Sequence, residues 1–332
     1  MRTTKRVLVA AVLTLFAPLA LVASGANRPT TVTAAWVQVS VATVWYTPSD
    51  PQPIDAPALG NPARITRWLA RISVAQRLAL ASRIMTQSLL GQRVVVLGHR
   101  GAWSRIEVPN QRGARYPRGI IGWVPTIQLS AVAPPRSSRE EIVAVPRAWL
   151  HAFVHGTVGR RRFLVSYDTE LPVVGTAPGD LVVGLPGGET GAITASALRP
   201  VRGGAVSGAA VAAEARRFLG LPYLWGGTSS FGYDCSGLVY SLYARFGRIL
   251  PRDARDQRHA GVPVALSELR PGDLLFFAGP GGVGRVHHVA IYVGGGRMID
   301  APYTGTSVEM IPMTSSPMWG EFAGAIRLYG VF

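Results

Sequence analysis

The chain has one cysteine, Cys235, in 332 residues, and a single thiol can form no disulfide within the chain. Lysine is almost missing too: Lys5 is the only one, so the 34 basic residues are otherwise arginines, set against 18 acidic ones. Those arginines are scattered rather than gathered on one segment, which argues against a nucleic-acid partner and suggests a coding bias. The sequence has no HExxH and no paired-cysteine spacing, so a zinc hydrolase using Cys235, His287 and His288 has little support. No metal or cofactor is expected. No long acidic or polar tract appears, which excludes extended disorder, and 48% of the residues are apolar.

Arg2, Lys5 and Arg6 precede an apolar run from Val7 to Val22, followed by Ser24-Gly25-Ala26. That order predicts a secretory signal over residues 1–26, cut after Ala26. The run is 16 residues long and interrupted by Pro18, short of the roughly 20 apolar residues that span a bilayer. Lipid attachment here would need a cysteine that is not present. Export to the cell surface, with association to the wall, is the expectation. Removing Arg2, Lys5 and Arg6 lowers the formal charge of +16 by three to +13, enough to favour anionic wall polymers as neighbours.

Turn residues crowd together at 133–138 (APPRSS) and 199–204 (RPVRGG), dividing the rest into three segments. The first, 34–132, has short β-rich runs at Ala35 to Val44, Arg93 to Leu97, Trp103 to Val108 and Gly119 to Val124. Between them Ala63 to Leu90 reads as helical, with a possible break at Ser73-Val74. The second, 139–200, has short alternating runs split by Gly and Pro, as in a small β-barrel. The third, 204–332, predicts helices at Val211 to Leu219 and Ser236 to Phe246. Strands are expected after them at Leu274 to Phe277, Val289 to Val293, Arg297 to Ala301 and Ala325 to Leu328, an α+β order.

Cys235 opens the second of those helices, and Leu238, Val239, Leu242, Tyr243 and Phe246 follow at helical spacing, directing the thiol toward the packed face. A helix N-terminus favours the anionic, nucleophilic form of a thiol and offers backbone N–H groups to a developing oxyanion. Asp234 before it suits a helix cap. A thiolate peptidase also needs a base, and His287 and His288 immediately precede the strand Val289 to Val293. A three-residue loop at Gly294-Gly295-Gly296 would pair Ala290 with Asp300 and put Asp300 on the face of His288, where a carboxylate could orient the ring. A two-residue loop would turn Asp300 away.

The strings LPYLWGGTSSFGYDCSGLVYSLY, LPRDARDQ, LRPGDLLFF and HHVAIYVGGGRMIDAP succeed one another over Gly204 to Tyr329 as in the NlpC/P60 peptidases, which the third segment resembles. WYTPSDPQPIDAP, WSRIEVP and GWVP resemble the first SH3-like domain of wall endopeptidases. The layout as a whole is similar to the γ-D-glutamyl diamino-acid endopeptidases of that family. This resemblance implies a papain-like catalytic domain, helices on an antiparallel sheet, preceded by two SH3-like β-barrels. It implies Cys235 as nucleophile, His288 as base and Asp300 in the third polar place, often His in the family. It further implies that Asp234, Ser236 and Tyr116 hold the free amine of a peptidoglycan stem peptide or muropeptide, with Tyr223 lining the site. A catalytically inactive wall-binding protein and an acyltransferase using the same thiol are the competing readings.

Overall fold

The first 7-stranded sheet is antiparallel throughout and drawn from residues 33–130, in the order Ile84–Leu89, Val41–Trp45, Ile120–Pro125, Trp103–Val108, Arg93–Arg100, Thr33–Val37, Leu129–Ser130. The second, also of 7 strands, uses residues 140–200 in the order Thr157–Ser166, Arg147–Val154, Thr190–Thr194, Asp180–Gly184, Glu170–Ala177, Glu140–Val143, Leu198–Pro200. The third has 6 strands, ordered Gly261–Val264, Phe322–Leu328, Leu274–Gly279, Val283–Gly294, Arg297–Asp300, Glu309–Pro312. These observations come from a computed structural model that describes residues 33–201 and 206–331. The expected signal at 1–26 and the boundary expected at 204 lie outside the described residues. No helix among the described residues is long and apolar enough to cross a membrane.

The stretch from Ala63 to Leu90, expected to be helical, is helical only in its first part. Helices span Ile65–Arg71 and Val74–Ala79, and the break between them falls at Ser73, whose side chain and that of Gln76 cap each other's backbone N–H. Ile84–Leu89 is a strand, paired with Val41–Trp45. Local propensity is outweighed there by burial on both sides: Thr86, Gln87 and Ser88 are fully buried between that partner strand and the ladder Thr228–Ser229/Gly232–Tyr233. The helical insertion is fastened to its sheet by Asp55, which is 0% exposed and accepts Trp68 Nε1 at 2.8 Å, the Gln52 N–H at 2.8 Å and the Arg83 guanidinium. A carboxylate so deep in the fold is tolerable because every one of these donors reaches it.

The two longer helices of the third segment are Gly208–Ala215, continued by a 3₁₀ turn at Arg216–Phe218, and Cys235–Ala244; a single turn follows at Ala254–Gln257. Val211, Ala212, Leu238, Val239 and Leu242 pack with Leu274, Phe276, Val289, Ile291, Ile299 and Ile326 of the sheet in one core. The intervening sheet residues Leu275, Phe277, Ala290, Tyr292 and Met298 pack instead with Trp319 and Phe322. Two strands of this 6-stranded sheet are not expected from the sequence, Gly261–Val264 and Glu309–Pro312, each lying at an edge where no residue is fully buried and the apolar alternation is weak.

The hairpin that carries His288 and Asp300 differs in detail from the three-residue loop. Gly294 pairs with Arg297, so the turn has two residues, Gly295 and Gly296, with φ of 59° and 69° as a type I′ turn requires. A bulge between Tyr292 and Gly294 absorbs the extra residue, and Tyr292 returns opposite Met298 and Ile291 opposite Ile299. The bulge thus undoes the change of face that a two-residue turn would otherwise impose on Asp300.

Candidate active site

Asp234 is extended (φ −87°, ψ 176°), and its Oδ1 accepts the Gly237 N–H at 2.7 Å, so it caps the helix that begins at Cys235. Gly237 has no freedom to be anything larger: an added Cβ would meet the Gly227 carbonyl oxygen at 2.0 Å. That close approach seats the first helical turn on the loop before it and leaves Cys235 only 8% exposed at the helix start. The strand Val283–Gly294 brings up His288, 3% exposed, whose Nε2 lies 2.7 Å from Asp300 Oδ1; Asp300 is 1% exposed. With Nε2 committed to the carboxylate, Nδ1 is the nitrogen left for the thiol.

Burial pushes the His288 pKa down, but the Asp300 carboxylate, the charge of Cys235 and hydrogen bonds with both outweigh it and hold the imidazole well above its ordinary value of 6.5. The proton-bearing ring, its carboxylate and the sulfur therefore form one electrostatic unit. The pair contributes stability that is complete below about pH 6.5 and is lost as pH rises through the higher folded-state pKa. Asp300→Asn removes the largest of the raising influences, so the His288 imidazole titration, followed by NMR, is expected to move to lower pH. An unchanged midpoint would show that Asp300 does not set the charge of the ring.

His287, the neighbouring residue on the strand, points the other way. Its Nε2 meets the Ala278 carbonyl at 2.7 Å and Glu321 at 3.1 Å, and its side chain is 48% exposed. It therefore cannot share a metal with Cys235 and His288, and no group of three or more His, Cys, Asp or Glu suited to a metal occurs among the described residues.

Ser236 donates to Asp234 Oδ1 at 3.3 Å, and Tyr223 is buried beside the same groups, its pKa raised by burial and then by Cys235, Asp234 and Asp300. Tyr116 is not hydrogen-bonded to any of them. It sits in the loop 109–118, which is docked on the third segment through Ala114 N–H to Asp256 (2.7 Å), Tyr240 Oη to the Asn110 carbonyl (3.1 Å) and Arg252 N–H to the Arg112 carbonyl (2.8 Å).

One residue of the site carries no role in the sequence reading. Arg252, 3% exposed, grips Asp234 with two bonds, Nη1 to Oδ1 at 3.0 Å and Nη2 to Oδ2 at 2.6 Å. It also gives Nη1 to Ser236 Oγ (3.0 Å) and Nε to Thr86 Oγ1 (3.2 Å) on the first sheet. Beside it, Gln87 Oε1 accepts from Thr228 N–H and Ser229 Oγ. The only signal in sequence is an arginine within LPRDARDQ, in a chain where arginine is common.

A family model described as the NlpC/P60 family matches residues 220–327. A γ-D-glutamyl-L-lysine dipeptidyl-peptidase of Bacillus subtilis is 37% identical over 87% of this chain and 97% of its own length. The chain belongs to the NlpC/P60 family. A Bacillus cereus protein of the same name is 35% identical over 88% of this chain and 90% of its own length. The crystal structure of an NlpC/P60 family protein from Bacillus cereus superposes with a TM-score of 0.82 at 34% identity, covering 89% of this chain and 99% of that one. The protein is a cysteine peptidase with the NlpC/P60 fold, and the first two sheets are included in that likeness.

Proposed function

We propose that the protein hydrolyses the amide between γ-D-Glu and a diamino acid in peptidoglycan stem peptides, releasing the N-terminal dipeptide. The observation that carries this reading is the buried row of Cys235, His288 and Asp300 at a helix N-terminus. The choice of bond is supported by the near full-length similarity to peptidases named for it. In this reading residues 34–132 and 139–200 are SH3-like barrels, which the antiparallel sheets of short strands support.

The Cys235 thiolate attacks the γ-carbonyl carbon, forming the C–S bond, while first-turn N–H groups hold the oxyanion. The imidazolium of His288 gives its proton to the departing amine as the C–N bond breaks, leaving a thioester. Neutral His288 then takes a proton from water, the hydroxyl adds to the thioester, and the sulfur leaves as thiolate with the ring again protonated. Asp300 keeps the ring turned with Nδ1 toward the sulfur throughout. Asp234 Oδ2 bears one donor from Arg252 and has capacity for a second, so an ammonium of the substrate could complete it.

Incubation of the protein with L-Ala-γ-D-Glu-L-Lys and its N-acetylated form, with products identified by mass, tests this. Release of L-Ala-γ-D-Glu from the free peptide alone is the expected result. Equal cleavage of both forms would remove the amine requirement and keep the bond. Cleavage of neither, with the meso-diaminopimelate peptide equally untouched, would reject the reading.

A further inference from the structure

Asp234 is an acid immediately before the nucleophile, with its side chain 11% exposed. An unpaired carboxylate there would oppose formation of a thiolate on the next residue, since like charges at short range disfavour each other. Arg252 is placed to prevent this. Its two-bond grip on both Asp234 oxygens makes the pair electrically neutral, and its own position is fixed from outside by Thr86 of the first sheet and by its backbone N–H on the Arg112 carbonyl. We propose that Arg252 is a positioning residue that cancels the charge of Asp234 beside Cys235, and that the first sheet holds it there. The proposal rests on Cys235 being the nucleophile.

Every charged or titratable group around the sulfur enters the balance. Asp234 is on its own helix; Arg252 and the exposed Asp253 come after that helix in the chain; Tyr223 lies on the preceding loop; His288 and Asp300 come from the sheet, with Glu309 behind Asp300. Burial alone would lower the Arg252 pKa, but Asp234, then Asp253 and Cys235, raise it, so this cation persists across the working range and His288 is the cation that can titrate. Removing Arg252 therefore leaves Asp234 as an uncompensated negative neighbour.

The test uses the full chain and needs no substrate, because Cys235 is the only thiol and its rate of alkylation by iodoacetamide against pH reports thiolate formation. Arg252→Met is expected to move that profile upward by about one pH unit or more, with Arg252→Lys moving it less, since a lysine supplies the charge without the two-pronged geometry. Adding Asp234→Asn to Arg252→Met removes the stranded charge while keeping a good helix cap, and is expected to return the profile to near wild type. A merely structural arginine would give no such reversal.

An unshifted profile in folded Arg252→Met, or a double variant that stays shifted, would overturn the proposal. If the methionine variant does not fold, Asp234→Asn alone decides: it leaves the Arg252 cation uncompensated beside the sulfur, so a profile moved to lower pH supports the proposal and an unshifted or raised profile rejects it. Failure of the underlying reading is seen separately, as peptide cleavage that survives in Cys235→Ala.

Discussion

Cys235→Ala ends peptide cleavage, with turnover falling by at least about 10⁴-fold as for other nucleophile deletions. The expectation rests on position. The sulfur sits at the first residue of the helix Cys235–Ala244, held by the Asp234 cap on one side and by the close Gly227–Gly237 contact on the other, and it is the group that His288 senses. The loss should be chemical and not structural. Cys235 is small and at the margin of the core, so its truncation is expected to cost no more than about 1–2 kcal/mol. Thermal unfolding close to wild type beside abolished kcat, measured on the γ-D-glutamyl peptide, is the pattern to look for; residual cleavage at wild-type rate would assign the chemistry to another group.

His288→Gln is expected to lower kcat/KM by roughly 10³-fold or more, whereas His287→Gln should stay within a few-fold of wild type. Glutamine keeps a polar contact to Asp300 but cannot carry the proton from thiol to leaving amine, so KM should change far less than kcat. His287 makes its contacts with Ala278 and Glu321, on a side chain half in solvent, and removing them touches neither Cys235 nor Asp300. Comparable losses in the two variants would mean that both imidazoles act on the thiol, contrary to their opposite directions on the strand.

The contrast between these two histidines shows what residue order makes legible. Their attachment to the apolar run Val289 to Val293, and the thiol at a helix start, can be read from the sequence because apolar spacing and helix capping are local, although the strand begins earlier than that run, at Val283, and contains both histidines. The pairing of Ala290 with Asp300 is expected from a three-residue loop, while the chain makes a two-residue turn with a compensating bulge between Tyr292 and Gly294; a bulge shifts the register by one residue without changing the residue types that signal a strand, so it leaves almost no trace in sequence. Ile84–Leu89 reads as helix because the residues before it are helical, and its strand state comes from burial between two parts of the chain that are roughly 40 and 140 residues away in sequence.

The nucleophile candidate and the residues of the hairpin are readable from residue order, because short-range chemistry sets both. That Asp234 is not a free carboxylate follows from the fold and not from residue order. Its partner Arg252 is 18 residues away in the chain, and the hydroxyl that steadies that arginine belongs to Thr86, 166 residues away. A charge is balanced by whatever the folded chain brings within a few ångströms of it, and sequence order does not encode that distance.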